Sequence, residues 1–457
     1  MRLNIIAGAL GMFWMVAAYG LPLPLFMREI QASGFQLGIM AAVRQLAMMA
    51  QIPSAFLVER LGYRKPFWAV TIILHRMLWA VPGLLPWLWP HGGAHWAVVL
   101  IFALGLSDVL ANAGTAPWLS WMADLLPPER AGRFWGVRQR VQSAVVMTAA
   151  LTWGWLLDTV HSPAHPLLGF TLVFVFAASL GVADIFIHLG VHEPPAIRSA
   201  PHETPWHRLL APLRQRNFRR LTLAMGGWSA ALALPGYFNG TPGFFNVVYL
   251  QENFGASYSQ ASWLVLASAL GTVLWASKIG HAIDHFGART VACFLVALGP
   301  FFTLGWFFAS PEKWHLPVLG DVPQPVLLMS SLSLLIGGFY GGVLLCQMRL
   351  TQAHTSTAGR TVAMAVHWSF VGAIGALGAL AGGWLKDHFP REWSAHLLPG
   401  GAPFSYFQLI ILLQVFLAWT ITLPLLRSIS GGAEVELRVE RRNSPAERVS
   451  SKKRMSS

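Results

Sequence analysis

Three ionisable side chains stand where ionisable side chains are costly. Arg44, Arg76 and Asp108 each lie inside a long and otherwise apolar stretch. A charge among apolar groups must be paired or must bind something, so each is by default a functional candidate. Counted from the ends of their stretches, Arg76 is about ten and Asp108 about twelve residues deep. At about 1.5 Å per helical residue both fall near the middle of a membrane-length helix. Antiparallel neighbours could therefore pair Arg76 with Asp108, and Arg44, at similar depth, competes for the same acid. One acid with two arginines leaves a positive centre, which suits a carboxylate or phosphate on a ligand. The competing reading is a buried ion pair that only locks helices together. Asn112, one turn beyond Asp108, shares its face. His367, His75, Asp184 and His188 lie in similar runs and could carry protons, or could be packed and hydrogen-bonded.

These residues need long helices to hold them. The chain has 457 residues, 55% hydrophobic and 11% charged. A soluble domain carries about 25% charged residues, so lipid must cover much of this surface. About 20 apolar residues cross a bilayer. Twelve such spans are expected, over 5–27, 35–57, 67–89, 96–118, 139–160, 167–190, 218–250, 258–279, 290–309, 324–347, 361–384 and 404–427. The seventh carries Pro235 and Asn239-Gly240-Thr241-Pro242-Gly243, which should break it. The first apolar run is longer than the 7–15 residues of a signal-peptide core, so it is read as a retained helix.

The net charge is +13, yet nucleic acid is not the implied partner. Of the 32 lysines and arginines, 26 fall in alternate loops and the C-terminal tail, four fall in the opposite loops, and Arg44 and Arg76 lie inside spans. By the positive-inside rule both termini face the cytoplasm, in a multi-pass inner-membrane protein. The long polar stretch 191–217 divides the chain into an N-terminal six-helix bundle (1–190) and a C-terminal one (218–427). Residues 428–457 are basic and serine-rich, with the composition of a disordered tail. Cys293 and Cys346 sit in apolar runs, which is no disulfide framework. The pairs His91/His95 and His161/His165 stand among Gly and Pro, where no helix would align them on a metal. There is no Walker A loop and no nucleophile–base–acid arrangement, so neither an enzymatic step nor a cofactor is expected.

Two loop pairs reveal a repeat. Glu59-Arg60-Leu61-Gly62-Tyr63-Arg64 is answered by Asp284-His285-Phe286-Gly287-Ala288-Arg289, with glycines 225 positions apart. Ala131-Gly132-Arg133 is answered by Ala358-Gly359-Arg360, with glycines 227 apart. Parallel repeats of this kind occur in transporters. The first loop resembles the G-x-x-x-D-R-x-G-R-R signature of the major facilitator superfamily, with Ala55 for the first glycine, Glu59 for the aspartate and Tyr63 for a basic residue. The second copy keeps Gly280 and Asp284 but has His285 for arginine.

The resemblance implies an all-α fold of two pseudo-symmetric six-helix bundles, working as a monomer by alternating access. It also implies a cytoplasmic gate of Glu59, Arg60, Gly62 and Arg64 with Asp284, Gly287 and Arg289, to which Arg133 and Arg360 are plausible partners. Such contacts would pair across the halves when that side closes. In this family the first, fourth, seventh and tenth helices line the cavity. That points to Trp14, Tyr19, Asp108, Asn112, Trp228, Tyr237, Asn239, Asn246, Tyr340 and Gln347, although Asn239 and Asn246 could instead cap the helix break. The resulting expectation is a secondary transporter of a small organic solute, proton-coupled, with an anionic or amphiphilic solute slightly favoured. An exporter of hydrophobic compounds is a rival. A receptor, chaperone or lipid scramblase on the same scaffold is another.

Overall fold

A computed structural model describes residues 2–61, 64–125, 128–194, 211–237, 242–317, 320–355, 360–389 and 403–429. Gly62, Asn239, the middle of the 191–217 stretch and the tail from 430 onward lie outside the described residues, as do the side chains of Glu59, Arg60, Arg133 and Arg360.

Among the described residues, ten helical segments are long and apolar enough to cross a membrane: Leu3–Glu29, Gly34–Val58, His95–Met122, Val137–Val160, Leu168–His188, Tyr258–Phe286, Ala288–Phe308, Gln324–Ala353, Val362–His388 and Tyr406–Arg427. An eleventh, Lys65–Leu78 with Val81–Leu88, is bent by 46°. Pro82 accounts for the bend, because it has no N–H and its ring crowds the carbonyl four residues earlier. The remaining expected span, the seventh, is two shorter helices, Arg216–Ala233 and Phe244–Phe254. Pro235 and Gly236 end the first of these. Gly236 takes φ 81°, Tyr237 N–H donates to Leu232 O at 2.9 Å and Gly236 N–H to Ala233 O at 3.1 Å. That is a Schellman cap, which satisfies carbonyls a broken helix would otherwise bury unpaired.

The helices are apolar on most faces. Phe102 is 75% exposed, Leu377 65% and Phe186 62%. Apolar exposure on this scale marks a lipid-facing belt. Small residues bring selected helices together. In the eleventh span, side chains added at Gly378 and Gly382 would meet the carbonyls of Ala230 and Leu234 in the seventh, and one at Gly383 would meet Gly34 and Gly38 in the second. Backbones that touch this closely gain dispersion that larger residues would prevent. Among the described residues, one element departs from the all-α expectation. Lys313–Leu316 and Gly320–Pro323 form an antiparallel hairpin between the ninth and tenth spans.

Candidate functional site

Among the described residues the first half holds two ion pairs inside its spans, one of them the competing Arg44–Asp108 pairing and the other an unexpected one. Asp108, 3% exposed, faces Arg44 rather than Arg76: Arg44 Nε lies 3.6 Å from Asp108 Oδ2. Tyr19 Oη donates to Asp108 Oδ1 at 2.6 Å, and its ring lies 4.3 Å below the Arg44 guanidinium. Asn112 donates to the Asp108 carbonyl and accepts from Gln51 at 2.9 Å. Arg76 instead meets Asp184 of the sixth span, at 3.2 Å, and stacks on Trp14 with 3.5 Å to the ring. Gly11 and Gly181 make room for this pair. A side chain at Gly11 would strike the Asp184 carboxylate, and one at Gly181 would strike Trp14 and Arg76. His75 Nδ1 shares a 2.7 Å hydrogen bond with Ser107, and its ring stands edge-on to Trp14.

This arrangement changes the charge argument. Two arginines meet two aspartates, so Arg44 and Arg76 leave no uncompensated positive centre. The Arg76–Asp108 pairing fails because depth along a span fixes height and not azimuth. The sixth span packs beside the first and third, and it carries its own acid at matching height.

A pocket opens elsewhere, between the two halves. It is lined by Gln45 and Met48 of the second span; Met225, Trp228, Ser229, Leu232 and Tyr237 of the seventh; Tyr340, Leu344 and Gln347 of the tenth; and Trp368 and Val371 of the eleventh. Trp228, Tyr237, Tyr340 and Gln347 were expected there. The Trp228 and Tyr237 rings stand edge-on to Tyr340, at 5.1 and 5.5 Å, and Gln414 donates to Tyr340 Oη at 2.7 Å. Gln45, Ser229, Met48 and Trp368 were missed. Glutamine, serine and methionine inside a span carry no signal as strong as a charge, and the second and eleventh spans were not expected to line a cavity.

Other expected lining residues sit elsewhere. Trp14 and Tyr19 serve the two ion pairs of the first half. Asn246 is fully buried and donates to Pro235 O, so it closes the helix break instead of facing the pocket. His367 is also fully buried, one shell behind the pocket: Nε2 accepts from Gln347 Nε2 at 2.9 Å, and Nδ1 shares a 2.9 Å hydrogen bond with Thr222.

Among the described residues, several polar contacts join the two halves at the span ends of one face, and Ser369 Oγ donates to the Met48 carbonyl at 3.5 Å deeper in the chain. The bonded face is the one expected to be external. Arg28 donates to Gln251 at 3.2 Å, and Tyr258 Oη donates to Glu29 at 2.9 Å. Asp158 accepts from Tyr258 N–H and Asp387 from Gly34 N–H. At the opposite face, three of the expected gate residues have described contacts within their own repeat or the segment after it. Arg64 binds Glu193, Ser120 and the Pro194 carbonyl. Asp284 pairs with Arg349 at 3.5 Å, and Arg289 donates to the Ile429 carbonyl.

Among curated proteins, none matches the sequence. Solved structures do match its fold. The nucleoside transporter NupG is 13% identical with a TM-score of 0.65, covering 93% of this chain and 99% of its own. A bacterial homologue of the iron transporter ferroportin, in an inward-facing state, is 15% identical with a TM-score of 0.63, covering 93% and 98%. A D-xylose-proton symporter is 13% identical with a TM-score of 0.61, covering 92% and 96%. The family model of the Major Facilitator Superfamily matches residues 3–248, more than half of the sequence, and the chain belongs to that superfamily.

Proposed function

We propose that this chain is a proton-coupled secondary transporter that moves a small organic solute by alternating access, in a bacterial inner membrane, as a monomer with both termini cytoplasmic. The observation that carries this reading is a pocket between two halves that are bonded across one face. A solute held there would have its path to that face blocked, and rocking the halves would exchange the blocked side. With the termini inside, the bonded face is the outer one and the arrangement is inward-facing. The described contacts of Arg64, Asp284 and Arg289, each inside its own half or the segment after it, are compatible with that state.

Pocket chemistry supports a narrower solute class than the charge count did. Trp228, Tyr237, Tyr340 and Trp368 offer ring faces and edges, and Gln45, Gln347 and Ser229 offer donors and acceptors. No charged side chain is among the lining residues described. A neutral or amphiphilic solute with a flat apolar face and a polar edge fits such walls better than an anion does. The same aromatic and methionine walls favour the exporter reading, in which the solute is more hydrophobic.

Asp108 is our candidate for the coupling proton. Its carboxylate holds Arg44, whose guanidinium also lies 5.6 Å from the Phe244 ring in the other half. Neutralising Asp108 would free Arg44 next to the interface between the halves. The test is a thermal-shift screen of a broad solute panel on the purified protein and on Gln347→Ala. A solute that stabilises the wild type, and does so less in the variant, supports the pocket. Equal stabilisation of both would refute it.

A further inference from the structure

The face bonded between the halves is built from one device used twice. The second and eighth spans both begin in an S-x-x-Q box. Ser33 Oγ accepts from Gln36 N–H at 3.1 Å while Gln36 Oε1 accepts from Ser33 N–H at 2.9 Å. Ser257 and Gln260 repeat this at 3.2 and 3.0 Å. A helix start leaves its first N–H groups without intrahelical partners. The box satisfies the cap residue and the third helical residue. It leaves the first and second, Gly34 and Phe35 in one copy and Tyr258 and Ser259 in the other.

Those two amides are taken, in both copies, by an aspartate from the opposite half. Asp387, at the end of the eleventh span, accepts from Gly34 N–H at 2.6 Å and from Phe35 N–H at 2.7 Å, one on each oxygen. Asp158, at the end of the fifth span, accepts from Tyr258 N–H and Ser259 N–H, both at 2.8 Å, and from Ser257 Oγ at 3.0 Å. One turn before each aspartate is a glycine against the same helix start. A side chain at Gly383 would strike the Gly34 carbonyl, and one at Gly154 would strike Ser259 and the Tyr258 carbonyl. The sequence carries the pair as Gly154-Trp-Leu-Leu-Asp158 and Gly383-Trp-Leu-Lys-Asp387, 229 positions apart, facing Ser33 and Ser257, 224 apart.

We propose that Asp158 and Asp387 are twin latches that hold this face closed, and that both must let go for the transporter to open on that side. A carboxylate on two free amides at a helix N-terminus combines charge-assisted hydrogen bonds with the favourable end of the helix dipole. Opening the face replaces those amides by water, so the latches act on the conformational equilibrium and not on the pocket. The two glycines let each aspartate reach its target, and they fix where the halves touch. The inference rests on the alternating-access reading, but its test does not need a known solute.

Spin labels at His165→Cys and Asn253→Cys, in the full chain with Cys293 and Cys346 replaced by Ser, report the separation of the halves at this face. Asp158→Asn and Asp387→Asn should each raise the ratio of a longer-distance population to the closed one about fivefold, the factor of a ~1 kcal/mol helix-end interaction. The double variant should show the product of the two. Asp→Glu at either position should restore closure, which separates loss of the latch from loss of folding. Unchanged distances in the folded double variant, or no difference between Glu and Asn, would overturn the proposal. A solute screen that finds nothing would count against transport and leave the latches untouched.

Discussion

Replacing Asp184 by Asn leaves Arg76 buried without its acid, and the structure fixes what should follow. The pair is close, at 3.2 Å, and both side chains are mostly buried, 13% and 8% exposed. Arg76 Nε already lacks a hydrogen-bond partner, and the rest of the guanidinium lies on the Trp14 face. Removing one member of a buried pair costs about 3–5 kcal/mol, because the other charge stays desolvated. Replacing both members with apolar residues of similar volume costs much less, and can stabilise. Asp184→Asn should therefore lower the melting temperature of the detergent-purified protein markedly. Arg76→Met with Asp184→Leu should recover most of the loss. Because this pair lies in the first bundle and outside the pocket, the double variant should bind solute like the wild type. The assay is a double-mutant cycle of thermal unfolding with solute binding alongside. An additive cycle would refute the reasoning, and so would a double variant that is stable but no longer binds, since Arg76 would then be acting on solute.

Four further outcomes follow. Asp108→Asn should abolish accumulation driven by a pH gradient and keep solute exchange across the membrane, measured in proteoliposomes; loss of both would make Asp108 structural. Trp368→Ala should weaken solute binding about tenfold, in line with the ~1.5 kcal/mol upper range for one aromatic contact, read by titration. Gly383→Trp should hold the Asp387 face open by bulk, increasing labelling of a cysteine placed at Leu37. Asp284→Asn should slow transport with little change in melting temperature, because its partner Arg349 is 43% exposed and such pairs contribute about 0–1 kcal/mol.

Much of the fold was legible because lipid imposes simple rules. Apolar length placed the spans, and Pro235 with the glycines after it placed the break in the seventh. The glycine offsets of 225 and 227 made the duplication visible. What stayed hidden was azimuth. Arg76 was set against Asp108 by depth alone, while Asp184, already noticed as a buried acid, had no visible reason to face it. Gln45 and Trp368 reach the pocket because glycines let the eleventh span press against the second and seventh, a contact no single-span pattern reports. The hairpin at Lys313–Pro323 is too short for alternation to stand out beside helices of some thirty residues. The second repeat, G-W-L-x-D with S-x-x-Q, was readable. It lies at the loop ends with few cations, outside the pattern of positive charge that marks the other repeat.

If a solute crosses through the pocket between the halves, gradient-driven uptake will depend on the residues that line it. Purified protein in sealed proteoliposomes would be given an imposed pH gradient and a broad panel of radiolabelled neutral and amphiphilic solutes. At least one solute should accumulate, collapse of the gradient by a protonophore should stop it, and Trp368→Ala should slow it. No gradient-dependent movement of any solute across the panel, by protein with the wild-type melting temperature, would contradict transport through the pocket.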